Sequence, residues 1–169
     1  MARQKSEFVS AFGTSSVVVQ AIEHVVDCDV DPYILSGWSL KDEGAEHRKG
    51  GMVKLERRGD DLYVNGKKIE LFLAEGQKDG IKGRQLRSML AEKLVLNANI
   101  LDYLLKNPKL IPESWKDKYV FFWGDVYRDS FGNLYVRYLY WGDDGWRWVY
   151  FWLDNVFYGD CPAAVSASQ

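Results

Sequence analysis

A chain of 169 residues, 47% of them hydrophobic, suits one domain or one domain with a small appendage, and it can bury a core without staples. Its formal net charge of −2 argues against a protein built to hold a polyanion. Its two cysteines, Cys28 and Cys161, exclude a disulfide scaffold, and no window is apolar for the length a membrane span needs.

The first segment, residues 1–50, is expected to be partly helical with a charged loop. Val18, Ile22, Val25 and Val26 stand at helical spacing after a possible Ser15 or Ser16 cap. Their β-branching works against that helix. The apolar run Val17–Val19 is too short for a signal peptide, so a cytoplasmic protein with reduced thiols is expected. Pro32 and the SGWS turn end the pattern, and Lys41–Gly51 is charged and glycine-rich, as a surface loop is.

Residues 51–162 are expected to form a single α+β domain. Over 52–74 the alternation of Val53 and Leu55 with Lys54 and Glu56, and the Asn65-Gly66 turn signal, predict a small antiparallel hairpin sheet. Two helices follow. The first places Leu86, Met89, Leu90 and Leu94 on one stripe. The second starts at Asn97 or Asn99, turns Ile100, Leu101, Leu104 and Leu105 inward, and stops before Pro108. The run from Tyr119 to Trp152 then predicts a Trp/Tyr-rich three-stranded antiparallel meander. Residues 163–169 are small and polar and are expected to fray.

The meander allows a face assignment. With GDDG as the second turn, Trp141 faces Trp146, Leu139 faces Trp148, Arg137 faces Tyr150 and Tyr135 faces Trp152. A five-residue first loop, Asp129 to Asn133, with Gly132 at positive φ, sets Asp125 opposite Arg137. One face is then Phe122, Val126, Leu134, Val136, Val149, Phe151 and Leu153, and it packs on the helices. The other face is nearly all ring.

That ring face is either core, covered by the N-terminal segments or a second subunit, or a contact surface. As a contact surface it offers Trp123, Asp125, Arg137, Trp141, Trp146, Trp148, Tyr150 and Trp152, residue types common at binding hot spots. The function this favours is non-enzymatic protein recognition or self-association. A carbohydrate or small-ligand module is the alternative. Nucleic acid is disfavoured. From Tyr119 on, only Arg128, Arg137 and Arg147 stand against Asp125, Asp129, Asp143, Asp144, Asp154 and Asp160.

Signals for catalysis, metals and cofactors are weak. His24 and Cys28 stand four apart, close enough on a helix for a cysteine-dependent enzyme, yet no orienting acid is visible. Asp27, Asp29 and Asp31 have calcium-loop spacing, but Pro32 and Trp38 occupy the positions where Gly and Glu are required. No zinc spacing and no glycine-rich phosphate loop is present, so no metal and no cofactor is expected.

The stretches LYVNGKKIEL, LNANILDYLLKNPKLIPESWK and YVFFWGDVYRDSFGNLYVRYLYW, with WLD and PAAV behind them, resemble an uncharacterised family of small bacterial proteins frequent in candidate-phylum genomes. The resemblance covers about the last two thirds of the chain. It implies that the helix pair and the aromatic sheet recur as one unit, and it transfers no site.

Overall fold

The computed structural model describes residues 22–41 and 50–167. Strands β1 (His24–Asp27), β2 (Ser39–Lys41), β3 (Met52–Arg58), β4 (Asp61–Val64), β5 (Lys67–Phe72), β7 (Val120–Arg128), β8 (Leu134–Gly142), β9 (Gly145–Trp152) and β11 (Ala163–Ser166) form one nine-stranded mixed sheet, curled into a half-barrel. Its order is β1-β3-β4-β5-β11-β7-β8-β9, with β2 beside β7. The short β6 (Ile81–Lys82) and β10 (Val156–Phe157) pair apart from it. The described chain also has two short α-helices, α1 (Gly83–Met89) and α2 (Ala98–Lys106), and three 3-10 turns, at Gln77–Asp79, Pro108–Leu110 and Glu113–Asp117.

The expected α+β arrangement of a small hairpin sheet and a separate three-stranded meander is overturned, because the two are halves of one sheet. Strand β11 joins them. It runs antiparallel to β5, with Ala163 opposite Phe72 and Ser166 opposite Ile69, and parallel to β7, with Ala163 opposite Phe121. Residues Ala163–Ser166, expected to fray, are thus an inner strand, and Ala163, Ala164 and Val165 are buried. Ser166 N–H bonds the Leu94 carbonyl at 2.8 Å and Leu96 N–H bonds the Ala164 carbonyl at 3.1 Å. These bonds draw residues 94–96 out of helical geometry, so α1 ends at Met89, and Met89 and Leu94 lie exposed rather than on a buried stripe.

The N-terminal expectation also changes. His24–Asp27 is a strand on β3, with His24 opposite Leu55 and Asp27 opposite Met52. Stiff β-branched side chains favour that conformation, and only Val26 of the strand is buried. Val18 and the Ser15 or Ser16 cap lie outside the described residues, as does the charged loop over 42–49.

The hairpin turns follow the expected chemistry. Asn65 and Gly66 take positive φ between β4 and β5, and Asp143 and Asp144 do so between β8 and β9. The β8–β9 register is the expected one, from Gly142 opposite Gly145 to Tyr135 opposite Trp152. The loop from Asp129 to Asn133 has Gly132 at φ 89 and closes on the Arg128–Leu134 pair.

Beyond Tyr127–Tyr135, however, β7 bulges. Residues Trp123–Val126 stand against Val136 alone, and pairing resumes with Phe122 opposite Arg137. The insertion is odd in length, so it exchanges the two faces of the first half of β7. Phe121 and Trp123 join Leu134, Val136 and Leu153 on the side covered by Leu86 and Leu90 around α1. Phe122 and Leu139 join Ile100, Leu101 and Leu104 of α2, with Trp146 and Trp148 against them. One helix therefore covers each face. The expectation that both helices pack on the aliphatic face fails for this reason.

The bulge and the start of α2 hold each other. Gly124 N–H bonds the Leu96 carbonyl at 2.9 Å. Asp125, fully buried, accepts the Ala98 N–H at 2.7 Å and supplies the helix cap that the Asn97 side chain does not.

Candidate functional site

Helix α2 lies on the ring face. Beside its buried stripe, Asn99, Asp102, Tyr103 and Lys106 recur at helical spacing and turn toward a cleft of about 830 Å³. The other wall is the chain from β1 onward, with Val25, Val30, Asp31, Pro32 and Tyr33, and the far end is Arg137 and Trp148. Residues after β1 are held by polar groups of α2 and β9. Tyr33 N–H bonds Asp102 Oδ2 at 2.9 Å, Leu35 N–H bonds the Tyr150 hydroxyl at 3.3 Å, and Trp38 stacks on Tyr150 at 4.4 Å.

Arg137 is the centre of this region. Its side chain is 1% exposed, and Nη2 pairs with Asp102 Oδ1 at 2.7 Å. Nη1 donates to the Tyr127 hydroxyl at 3.4 Å, and the guanidinium carbon lies 4.0 Å from the Trp148 ring. Its Nε has no partner among the described residues. Asn99 is in the same condition. Its Nδ2 donates to the Val30 carbonyl at 2.7 Å and to the Asp27 carbonyl at 3.4 Å, while its buried Oδ1 has no partner. Buried polar atoms are nearly always bonded; of the three enclosed side-chain atoms without a partner among the described residues, these two belong to residues of one cleft, and the third, Trp123 Nε1, lies in the core of the other face. Burial pushes the Tyr127 phenol well above its usual range, even with Arg137 beside it, so it stays neutral.

The sequence-predicted residues separate. Arg137 and Trp148 line the cleft, and Tyr150 stands behind them under Trp38. Asp125 does not pair with Arg137, because the bulge puts Phe122 opposite it and Asp102 supplies the carboxylate. Trp123 is core, packed 5.4 Å from Phe157. Trp141 and Trp146 form an edge-to-face pair at 5.4 Å, with Lys116 Nζ 4.0 Å over Trp141. Trp152 is 40% exposed on β9, at the end of the sheet order. The eight residues thus do not make one open ring face. Asn99, Asp102, Tyr103, Lys106 and Tyr33 were not singled out by the sequence. The polar stripe on α2 beside its apolar one is the signal that could have found the first four.

The catalytic expectation at His24 and Cys28 loses its geometric basis, since a strand does not bring residues four apart together. His24 Nδ1 lies 3.0 Å from the Tyr103 hydroxyl. Cys28 is fully buried, and that burial raises its thiol to about 11, the reverse of an activated nucleophile. Asp27 Oδ1 accepts the Asp29 N–H and Asp29 Oδ1 accepts the Gly51 N–H, each at 3.0 Å, so these carboxylates shape a turn. Among the described residues no group of three or more His, Cys, Asp or Glu could hold a metal, and no helix is long and apolar enough to cross a membrane. No family model, curated protein or solved structure gives a significant match to this chain.

Proposed function

We propose that the protein is a non-enzymatic binding domain for a small uncharged polar ligand of the carbohydrate type, held in the cleft between α2 and the chain that follows β1. One observation carries the reading: Asn99 and Arg137, both buried polar residues, line one cleft with ring walls, and each has an enclosed polar atom without a partner among the described residues. Tyr33, Tyr103 and Trp148 supply ring walls for the apolar face of a sugar. Asp31, Asp102 and Lys106 supply hydroxyl-bonding groups around it. Charge narrows the class. The lining holds Asp27, Asp31 and Asp102 against Lys106 and Arg137, and the second cation is already neutralised by Asp102. Phosphates and carboxylates meet net repulsion there.

Trp148 makes the test direct. Neutral mono- and disaccharides titrated at millimolar concentration should change tryptophan emission saturably and raise the melting temperature. Asn99→Ala should weaken the response and Trp148→Phe should remove most of the emission change. Sugar phosphates should bind less well than the parent sugars. Absence of a saturable response to every neutral sugar tried would dismiss the carbohydrate reading.

Protein recognition through the open ring face is the weaker reading, because Trp123, Asp125 and Arg137 are each 2% exposed or less. Association with a protein is better sought at the edge of the sheet.

A further inference from the structure

We propose that two copies of this chain join through the outer edge of β9, antiparallel and about a two-fold axis, with Val149 facing Val149 of the second copy. The proposal is independent of the ligand cleft and rests on the hydrogen-bonding parity of β9. The strand ends the sheet order, so one of its edges is open among the described residues. The two-residue turn at Asp143 and Asp144 makes Gly142 and Gly145 a closely bonded pair. The N–H and C=O groups of Gly145, Arg147, Val149 and Phe151 therefore point at β8. Those of Trp146, Trp148, Tyr150 and Trp152 point outward. The bond from Leu153 N–H to the Leu134 carbonyl at 2.9 Å continues the same parity. Among the described residues the Trp152 carbonyl accepts the Asn155 N–H at 3.0 Å, and the other outward backbone groups are bonded by no described residue.

Soluble proteins blunt such edges with lysine, proline, bulges or short strands. This edge has none of these. It is eight residues long, GWRWVYFW, and Arg147 is its sole charge. Val149 is 37% and Trp152 40% exposed, and they lie on opposite faces, so both surfaces are apolar at the rim.

A second copy of the strand fits this edge in one complete register. A two-fold axis perpendicular to the sheet keeps each face continuous, so residues of equal parity come opposite one another. With Val149 on the axis, Trp148 faces the second copy's Tyr150 and Trp146 faces its Trp152. Trp148 and Tyr150 then exchange both of their bonds, and Trp146 and Trp152 do so with the second lone pair of the Trp152 carbonyl, whose first holds the Asn155 N–H. Centring on Trp148 leaves Trp152 against a turn, and centring on Tyr150 leaves Trp146 beyond the strand. In the full register Arg147 meets the second copy's Phe151, a cation over a ring. At the ends Asp144 approaches Asp154, whose charge Arg84 already neutralises at 2.6 Å.

Val149 falls at a non-bonded pair, where Cα atoms of facing strands approach to about 4.5 Å, a separation a disulfide can span. Val149→Cys should give a covalent dimer under mild oxidation, and Arg147→Cys should not. The native thiols are buried and will not interfere. Light scattering of the wild type at micromolar concentration should give twice the chain mass. Val149→Asp, which sets two carboxylates face to face, should give the single mass with an unchanged circular dichroism spectrum. A wild-type monomer throughout that range would overturn the proposal. So would a dimer that persists in Val149→Asp and fails to cross-link through Val149→Cys.

Discussion

Removing Asp102 should cost far more stability than removing the arginine it pairs with. In Asp102→Ala the Arg137 guanidinium, 1% exposed and with Nε already unpartnered, loses its carboxylate at 2.7 Å. An uncompensated buried charge of this kind costs about 3–5 kcal/mol. Asp102 is itself 27% exposed, which sets the loss toward the lower end. The Tyr33 N–H also loses its acceptor, for about 1 kcal/mol more. The expected total is about 3–4 kcal/mol. Arg137→Met behaves differently. Methionine keeps the packing on Trp148, and the half-buried carboxylate can turn to water while still accepting the Tyr33 bond. Its cost should be about 1–2 kcal/mol. The double variant Asp102→Ala, Arg137→Met should be less damaged than Asp102→Ala alone. Urea denaturation followed by far-ultraviolet circular dichroism measures all three. If Asp102→Ala loses less than Arg137→Met, the guanidinium is not the desolvated group it is taken for, and the reasoning fails.

Three further outcomes follow from the packing. Gly124→Ala would place a Cβ 2.7 Å from the Leu96 carbonyl oxygen and 2.8 Å from Asn97 N. Backbone cannot give way as a side chain can, so denaturation should show a loss of about 1–3 kcal/mol. Cys28 and Cys161, raised by burial to about 11 and about 12, should resist alkylation at pH 8 until denaturant exposes them. The same shifts favour folding fully below pH 9.0, the ordinary value, and that contribution declines as pH rises toward the folded values. Thermal melts between pH 8 and 11 should fall, and fall less in a Cys28→Ala, Cys161→Ala variant. A chain truncated after Pro162 lacks the inner strand and should show no cooperative melt, whereas a merely frayed tail would be lost without effect.

What could be read from the sequence depended on whether local chemistry decides the outcome. The Asn65-Gly66 and Asp143-Asp144 turns, Gly132, and the β8–β9 register are local, and the residues at positive φ announce them. The α2 stripe is equally legible, since Ile100, Leu101 and Leu104 are buried and Pro108 starts a new turn. The bulge in β7 is not. In FFWGDVY nearly every residue is apolar or small, so no alternation survives to show where the parity changes. That change moved Phe121 and Trp123 to the other face and separated Asp125 from Arg137. Strand β11 was hidden for a different reason. Alanine and serine have low strand propensity, and Ala163 and Ala164 earn their place only by fitting between two existing half-sheets. The cleft was hidden with them, because α2 reaches the ring face only through the bulge.

The position of β11 also sets an order of events during synthesis. The strands β3, β4 and β5 leave the ribosome early and can pair locally, and β7, β8 and β9 form a second local meander. The strand that must lie between β5 and β7 is the last described strand to be translated. Until it emerges, both nascent meanders carry an open inner rim lined with Phe72 and Phe121. Completion of the sheet is thus a late zipping step of long sequence separation, slow by comparison with hairpin closure. During that interval the two rims are open strand edges that can pair with another chain.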